Sequence, residues 1–187
     1  GSYDFIPINE KYNDLLKNKG NEISEGRMYG NTKSLKDSFL IEYFPIKSKG
    51  KFQDKIIHVD PEFATFTYGD PSFTKKKIGQ LCKDDYLLFY CSLTNQLNHI
   101  TDLYLFAYFC VEDAEIVMNV NERQRLIDRG FENNFHVMHE QIFKRDVLFP
   151  KNNGLKVVRG NPLKSKILKK PIKISKRTLY PDGVERY

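Results

Sequence analysis

The most regular hydrophobic pattern lies in the middle third of the chain. Tyr86-Leu87-Leu88-Phe89-Tyr90-Cys91 and Leu103-Tyr104-Leu105-Phe106-Ala107-Tyr108-Phe109-Cys110-Val111 are nearly continuous in apolar and aromatic residues. The polar turn Lys83-Asp84-Asp85 precedes the first run, and an Asn-rich loop from Thr94 to Asp102 separates the two. Such runs, rich in aromatic residues and bounded by turn formers, predict central strands rather than helices. Their proximity in sequence predicts an antiparallel pair.

The remaining elements are fainter. Phe39, Ile41 and Tyr43 alternate with Ser38, Leu40 and Glu42 before Pro45, which predicts a first strand with one mostly buried face. Ile56 to Val59 and Ala64 to Tyr68 read as extended segments, closed by Asp60-Pro61 and by Gly69-Asp70-Pro71, because proline holds the preceding residue extended and Gly-Asp supplies turn chemistry. Thr74 to Leu81 suits a short helix or turn. Val120 to Gly130 has helix-like charges with Gly130 as C-cap, Phe135 to Phe149 is mixed, Lys156 to Val158 is a short strand, and Pro162 to Lys169 is a basic helix-like stretch. The first 36 residues are polar, with one weak helical stretch at Glu10 to Lys17. The expected organisation is an N-terminal arm or peripheral layer (1–36), one α+β domain (37–175) and a C-terminal tail (176–187).

Composition leaves that picture standing. With 187 residues, 40% hydrophobic and 29% charged, the chain can bury one core and is not expected to be disordered. No run approaches the roughly 20 apolar residues of a membrane span and the start has no signal-peptide pattern, so a cytoplasmic location is expected. Gly1-Ser2 reads as the scar of a cleaved tag, an expectation that the chain is one piece of something longer. Cys82, Cys91 and Cys110 are odd in number and form no CxxC pair, which supports neither a disulfide framework nor a zinc knuckle.

Charge adds a direction. The net charge is +6, but residues 141–187 carry 13 Lys and Arg against 3 Asp and Glu, while the other 140 carry 17 against 21. A basic segment on a near-neutral body fits a phosphate backbone, because neutralised phosphates release condensed counterions; the alternative is a solvated lysine-rich surface. The candidate phosphate contacts are Arg159, Lys164, Ser165, Lys166, Lys169 and Lys170, extended by Lys75 and Lys76.

Two resemblances rest on the same residues. Lys83-Asp84-Asp85-Tyr86-Leu87-Leu88-Phe89-Tyr90, a loop, and Leu103 to Val111 resemble the core of the PUA-like superfamily, which includes EVE, YTH and ASCH domains; Asp84 and Ala107 stand where that pattern has glycine. The resemblance implies a small mixed β-barrel of EVE/YTH-like type with peripheral helices. A longer likeness runs through His58-Val59-Asp60-Pro61-Glu62-Phe63, Thr67-Tyr68-Gly69-Asp70, Leu87-Leu88-Phe89-Tyr90 and Gly160 to Ile172. In this order the segments resemble the third class of nucleotide modification associated domains, which implies handling of a nucleobase in a phage or bacterial DNA-modification system.

A domain that inspects one base must lift it from the stack, at a cost of a few kcal/mol, and hold it between aromatic faces while polar groups read its edge. Candidate walls are Phe66, Tyr68, Tyr86, Tyr90 and Tyr108; candidate edge readers are Asp60 and Asp70, with His58 beside them. Strand aromatics are also core formers, and both aspartates also suit local turns. His136 and His139 at i, i+3 could be imagined with His58, Asp60 and Glu140 around a metal, but no HExxH, His-x-Glu or CxxC word accompanies them, so neither metal nor cofactor is expected. No GxSxG, P-loop or GxGxxG word appears. The expected function is recognition of a modified, flipped base in DNA, as the specificity module of a modification-dependent restriction system with a fused or associated nuclease or motor. The alternative is an enzyme of nucleobase or nucleotide modification that uses Asp60, Asp70 and His58 as acid–base groups.

Overall fold

The computed structural model describes residues 8–9, 27–34, 36–94, 100–148, 153–175, 178–179, 181–183 and 185–186; for residues 8–9, 73, 74, 76, 178–179 and 185–186 it describes the backbone alone. Its strands are β1 (Ile8–Asn9), β2 (Ile57–His58), β3 (Thr67–Asp70), β4 (Tyr86–Thr94), β5 (Thr101–Val117), β6 (Leu155–Gly160), β7 (Lys166–Lys173), β8 (Thr178–Leu179) and β9 (Glu185–Arg186). Its α-helices are α1 (Ile46–Phe52), α2 (Arg123–Leu126), α3 (Phe135–Met138) and α4 (Glu140–Leu148). The expected helical stretch at Glu10 to Lys17 and residues 95–99 of the Asn-rich loop lie outside the described residues.

The predicted central pair is β4 and β5, antiparallel from Tyr86↔Cys110 to Thr94↔Thr101. Strand β5 is the spine of the fold. Its first half pairs with β4 on one edge and β7 on the other, and its second half pairs with β6, which in turn pairs with β3. The result is a mixed α/β architecture around an antiparallel sheet, ordered β3-β6-β5-β4 with β7 beside β5, curled into half a barrel. Two bulges in β5 drive the curl, since an unpaired residue bends a strand and strengthens its twist. Phe106 falls where the register shifts on both edges, and Glu112 where the pairing with β6 shifts.

The two faces of the sheet bury different things. On one, Val117, Leu155 and Val157 pack against Leu126, Phe131, Val137, Phe143 and Val147 from the helical segment. On the concave side, Phe109 gathers Phe63, Phe66 and Phe89 at ring separations of 4.6–5.9 Å. Residues 27–34 join a third cluster, in which Tyr29 meets Leu40 and Ile57 and packs edge-on against Phe44 and Phe52.

Three local expectations differ from the structure. Leu40–Tyr43 is a 3-10 turn, not a strand. Leu40 is its buried residue at 1% exposure, seated on Tyr29 and Ile57 with Ile41 and Phe44 partly buried beside it, while Phe39 and Tyr43 face outward, since a 3-10 turn does not alternate its side chains between two faces. Gly69 and Asp70 are the last two residues of β3, which stops before Pro71 as expected but starts only at Thr67, because the segment before it is a turn in which Glu62 and Thr67 exchange two main-chain bonds. The basic stretch Pro162 to Lys169 is a turn followed by β7, because the Asn161 side chain accepts from the Leu163 and Lys164 amides and the open β5 edge then takes the chain as a strand. Regular helical geometry breaks at Gly130, whose φ of 88° lies in the left-handed region that glycine adopts without strain, although the π-helical turn that contains it runs from Ile127 to Phe131.

Candidate functional site

Strand β3 is one edge of the half-barrel and β4 is the other. The outer edge of β3 is met by the loop that leads into it, where Asp60 takes the place a neighbouring strand would fill: its Oδ1 accepts the Gly69 amide at 3.0 Å. The Asp60–Pro61 peptide is cis. This position gives the carboxylate two neighbourhoods, the helices on one side of β3 and the concave groove on the other.

On the helical side Asp60 Oδ2 lies 3.5 Å from His136 Nε2 and 4.0 Å from His58 Nε2. Asn134 caps α3 by accepting from the His136 amide at 3.1 Å, which fixes where His136 leaves the helix. The opposite ring nitrogen, Nδ1, meets Asp146 Oδ2 of α4 at 2.7 Å, and Arg145 Nε donates to Asp146 Oδ1 at 2.7 Å. Gly69 makes the approach possible: a Cβ there would fall 2.6 Å from His136 Cδ2 and 2.9 Å from Asn134 Oδ1. His58 lies flat on Phe135, with ring centroids 4.1 Å apart, and meets His136 edge-on at 5.0 Å.

The electrostatics follow from burial. The Asp60 and His136 side chains are 5% and 3% exposed. Burial would lower the His136 imidazolium, but hydrogen bonds to Asp146 and Asp60 and the charges of both carboxylates outweigh it and hold the pKa at about 9. Asp146 is held low, since His136 and Arg145 overcome its desolvation. Asp60 goes the other way: desolvation pushes its carboxyl up against the pull of His136, the Gly69 amide and His58. A proton can therefore be held between Asp60 and His136 at the boundary of the groove.

That groove, of about 500 Å³, runs between the two sheet edges. Asp60, Pro61 and Tyr68 bound it on one side and residues 87–91 of β4 on the other, with Phe106, Ile78 and Lys75 completing the lining. The bulge in β5 aims Phe106 inward. Tyr68 stands edge-on to Phe89 at 5.7 Å, and its hydroxyl donates to Asp70 Oδ2 at 2.9 Å. Burial, then the charges of Asp60 and Asp70, raise that hydroxyl well above the ordinary tyrosine range. Asp70 Oδ1 also accepts the Ser72 amide at 2.7 Å.

The structure thus brings Asp60, Tyr68 and Lys75 to one groove, with His58 and Asp70 bonded or adjacent to its members; Tyr90 lies on the β4 edge of the groove but is 61% exposed, on the same outward face of β4 as Tyr86. It places the other expected base-binding residues elsewhere. Phe66 packs edge-on against Phe109 at 5.5 Å, and Tyr86 and Tyr108 pair at 5.8 Å on the convex face. Among the expected phosphate contacts, Lys166, Lys169 and Lys170 are exposed along β7. Lys164 pairs with Asp84 at 2.7 Å and Arg159 with Glu112 at 3.1 Å. Ser165 is buried and its Oγ accepts the Cys110 amide at 3.1 Å; the Lys76 side chain lies outside the description.

Three members of the site had little or no sequence signal. His136 stood out only for its spacing to His139, which packs against Phe135, whereas Glu140 pairs with Lys144. Asp146 lies in the last turn of an amphipathic helix and looks solvated in sequence. Lys156 is fully buried under β3, donating from Nζ to the carbonyls of Gly154 (2.9 Å) and Ser72 (3.2 Å), and its burial lowers its pKa against the pull of Asp70. In sequence it is one lysine among many.

Among the described residues no helix is long and apolar enough to cross a membrane. No curated protein and no solved structure matches the chain. A family model does, over residues 1–180, and by that match the chain belongs to the nucleotide modification associated domain 3 family.

Proposed function

We propose that this domain binds a single nucleobase in the groove between β3 and β4, as the recognition module for a modified, flipped base in DNA. The observation that carries the reading is the buried Asp60 carboxylate at the end of an aromatic-lined groove of about 500 Å³. A flipped base needs stacking surface, worth about 1 to 3 kcal/mol per base, and polar groups that read its edge. Tyr68, Phe89 and Phe106 offer the surface, and Asp60 accepts from an exocyclic amino group. The exposed lysines of β7 engage the phosphate backbone and position the duplex without reading it. The family's name, which ties it to nucleotide modification, and the sequence likeness to PUA-like domains support the same reading.

The test is a fluorescence-anisotropy panel of duplexes that each carry one modified base, at physiological salt. One modified duplex is expected to bind more tightly than its unmodified counterpart, and Asp60→Asn should weaken it by about 10- to 100-fold, the range for a charge-assisted hydrogen bond. Equal affinity across the panel would sink the reading.

The Asp60–His136 ion pair, 3.5 Å apart beside the groove, favours a second reading, an enzyme that moves a proton on a bound base or nucleotide. A mass change in an oligonucleotide or nucleotide incubated with the protein, abolished by Asp60→Asn, would select it over the first.

A further inference from the structure

We propose that His58, Asp60 and His136 hold a divalent first-row transition-metal ion on the helical side of β3, behind the groove that Asp60 bounds. One ligand atom from each of the three lies within 4.8 Å of the others. Donors about 2.1 Å from a tetrahedral ion stand roughly 3.4 Å apart. The His136–Asp60 pair, at 3.5 Å, already has that spacing. The His58–Asp60 pair is wider, at 4.0 Å, and the three ligand atoms lie within 4.8 Å of one another, so His58 has to move inward to close the set.

The surroundings are those of a metal site in three further respects. Ligating histidines characteristically give their second ring nitrogen to a carboxylate, which fixes the ring and the tautomer. His136 does this with Asp146 at 2.7 Å, directing Nε2 at Asp60. The Asp60 carboxylate is oriented as well, because the Gly69 amide bonds Oδ1 and turns Oδ2 toward the two imidazoles. Phe135, stacked on His58, sets the plane of the third ligand. Two imidazoles and one carboxylate suit zinc, cobalt or iron(II) better than magnesium or calcium, and three protein ligands leave coordination positions open. Asp60 is the one member of the three that also lines the groove, and so links the cluster to it. This inference goes beyond base binding and rests on the cluster's own geometry, so either can fail without the other.

The experiment is a titration of the chelator-treated protein with Co²⁺, followed by equilibrium dialysis and visible absorption, with no nucleic acid present. One Co²⁺ per chain is expected, with a ligand-field band of four- or five-coordinate intensity that one equivalent of Zn²⁺ removes. His58→Gln and Asp60→Asn should abolish the band. Asp146→Asn, which removes only the group that orients His136, should weaken binding about 10- to 100-fold. Circular dichroism checks that each variant is folded, and paramagnetically shifted imidazole resonances in the unsubstituted Co²⁺ protein identify the ligands should a variant not fold. Absence of stoichiometric uptake, or uptake unchanged in folded His58→Gln and Asp60→Asn, overturns the proposal. Duplex binding repeated in excess chelator separates the two readings: binding that persists there leaves the base-binding reading standing whatever the Co²⁺ result.

Discussion

His136 is the residue on which most of the site turns, and its charge is set by what surrounds it. Asp60, Asp146 and Arg145 face it across β3, α3 and α4, with His58 at its edge. Two carboxylates against one guanidinium leave room for one more positive charge, which the imidazolium supplies. A pKa raised to about 9 from an ordinary 6.5 means that the folded state holds the proton more tightly than the unfolded one. The resulting stability is complete below pH 6.5 and is lost as pH rises toward 9. In chelator-treated protein, urea unfolding should therefore show a lower midpoint at about pH 9.5 than at about pH 6, the stability difference being a few kcal/mol at most. His136→Gln should flatten that difference. Equal midpoints at the two pH values would show that the imidazole is neutral throughout. The alternation of Phe39, Ile41 and Tyr43 is a contrary lesson at the same scale: the pattern was visible, but the 3-10 turn buries Leu40 against Tyr29 and Ile57 and leaves Phe39 and Tyr43 outward.

At the level of elements, the site exists because α3 lies directly on β3. That packing depends on Gly69, where any side chain would run into His136 and Asn134. Gly69→Ala is expected to cost about 1 to 3 kcal/mol through overpacking, read as a lower thermal midpoint, together with a shift of the His136 imidazole resonances. An unchanged midpoint and spectrum would mean that helix and strand slide apart without strain. The existence and pairing of β4 and β5 were legible, since their aromatic runs and flanking turns need no distant partner to be read; that β5 continues past Val111 to Val117 was not, because its second half is held by β6. Strand β7 was not. Its lysines favoured a helix locally, and the free edge of β5 reassigned them to a ladder whose partners lie about 60 residues away in sequence.

For the whole molecule the charge asymmetry becomes a surface. Lys166, Lys169 and Lys170 are presented along β7, on the opposite edge of β5 from β4 and the groove. If they bind phosphates, Lys166→Glu with Lys169→Glu should weaken binding to all duplexes alike and reduce the slope of log K against log salt by about 1 for each phosphate no longer neutralised. A change in preference among modified bases, with the slope intact, would reassign these lysines to specificity.

What the sequence determined on its own was whatever depends on neighbours: the β4–β5 pair, the helical break at Gly130, the turn chemistry around Asp60 and the basic C-terminal third. It also carried the family likeness, because that resides in short words such as His58-Val59-Asp60-Pro61 and Thr67-Tyr68-Gly69-Asp70. Only the tertiary structure decided which of these residues act together. His136 and Asp146 reach Asp60 from more than 70 residues away, through a helix packed on a glycine, and the groove arises because the half-barrel leaves the β3 and β4 edges facing each other. Local pattern reports the period of an element and the sign of a charge. It does not report which face of which strand a distant helix will cover, and at this site that covering face converts a turn aspartate into a buried carboxylate with two imidazoles beside it.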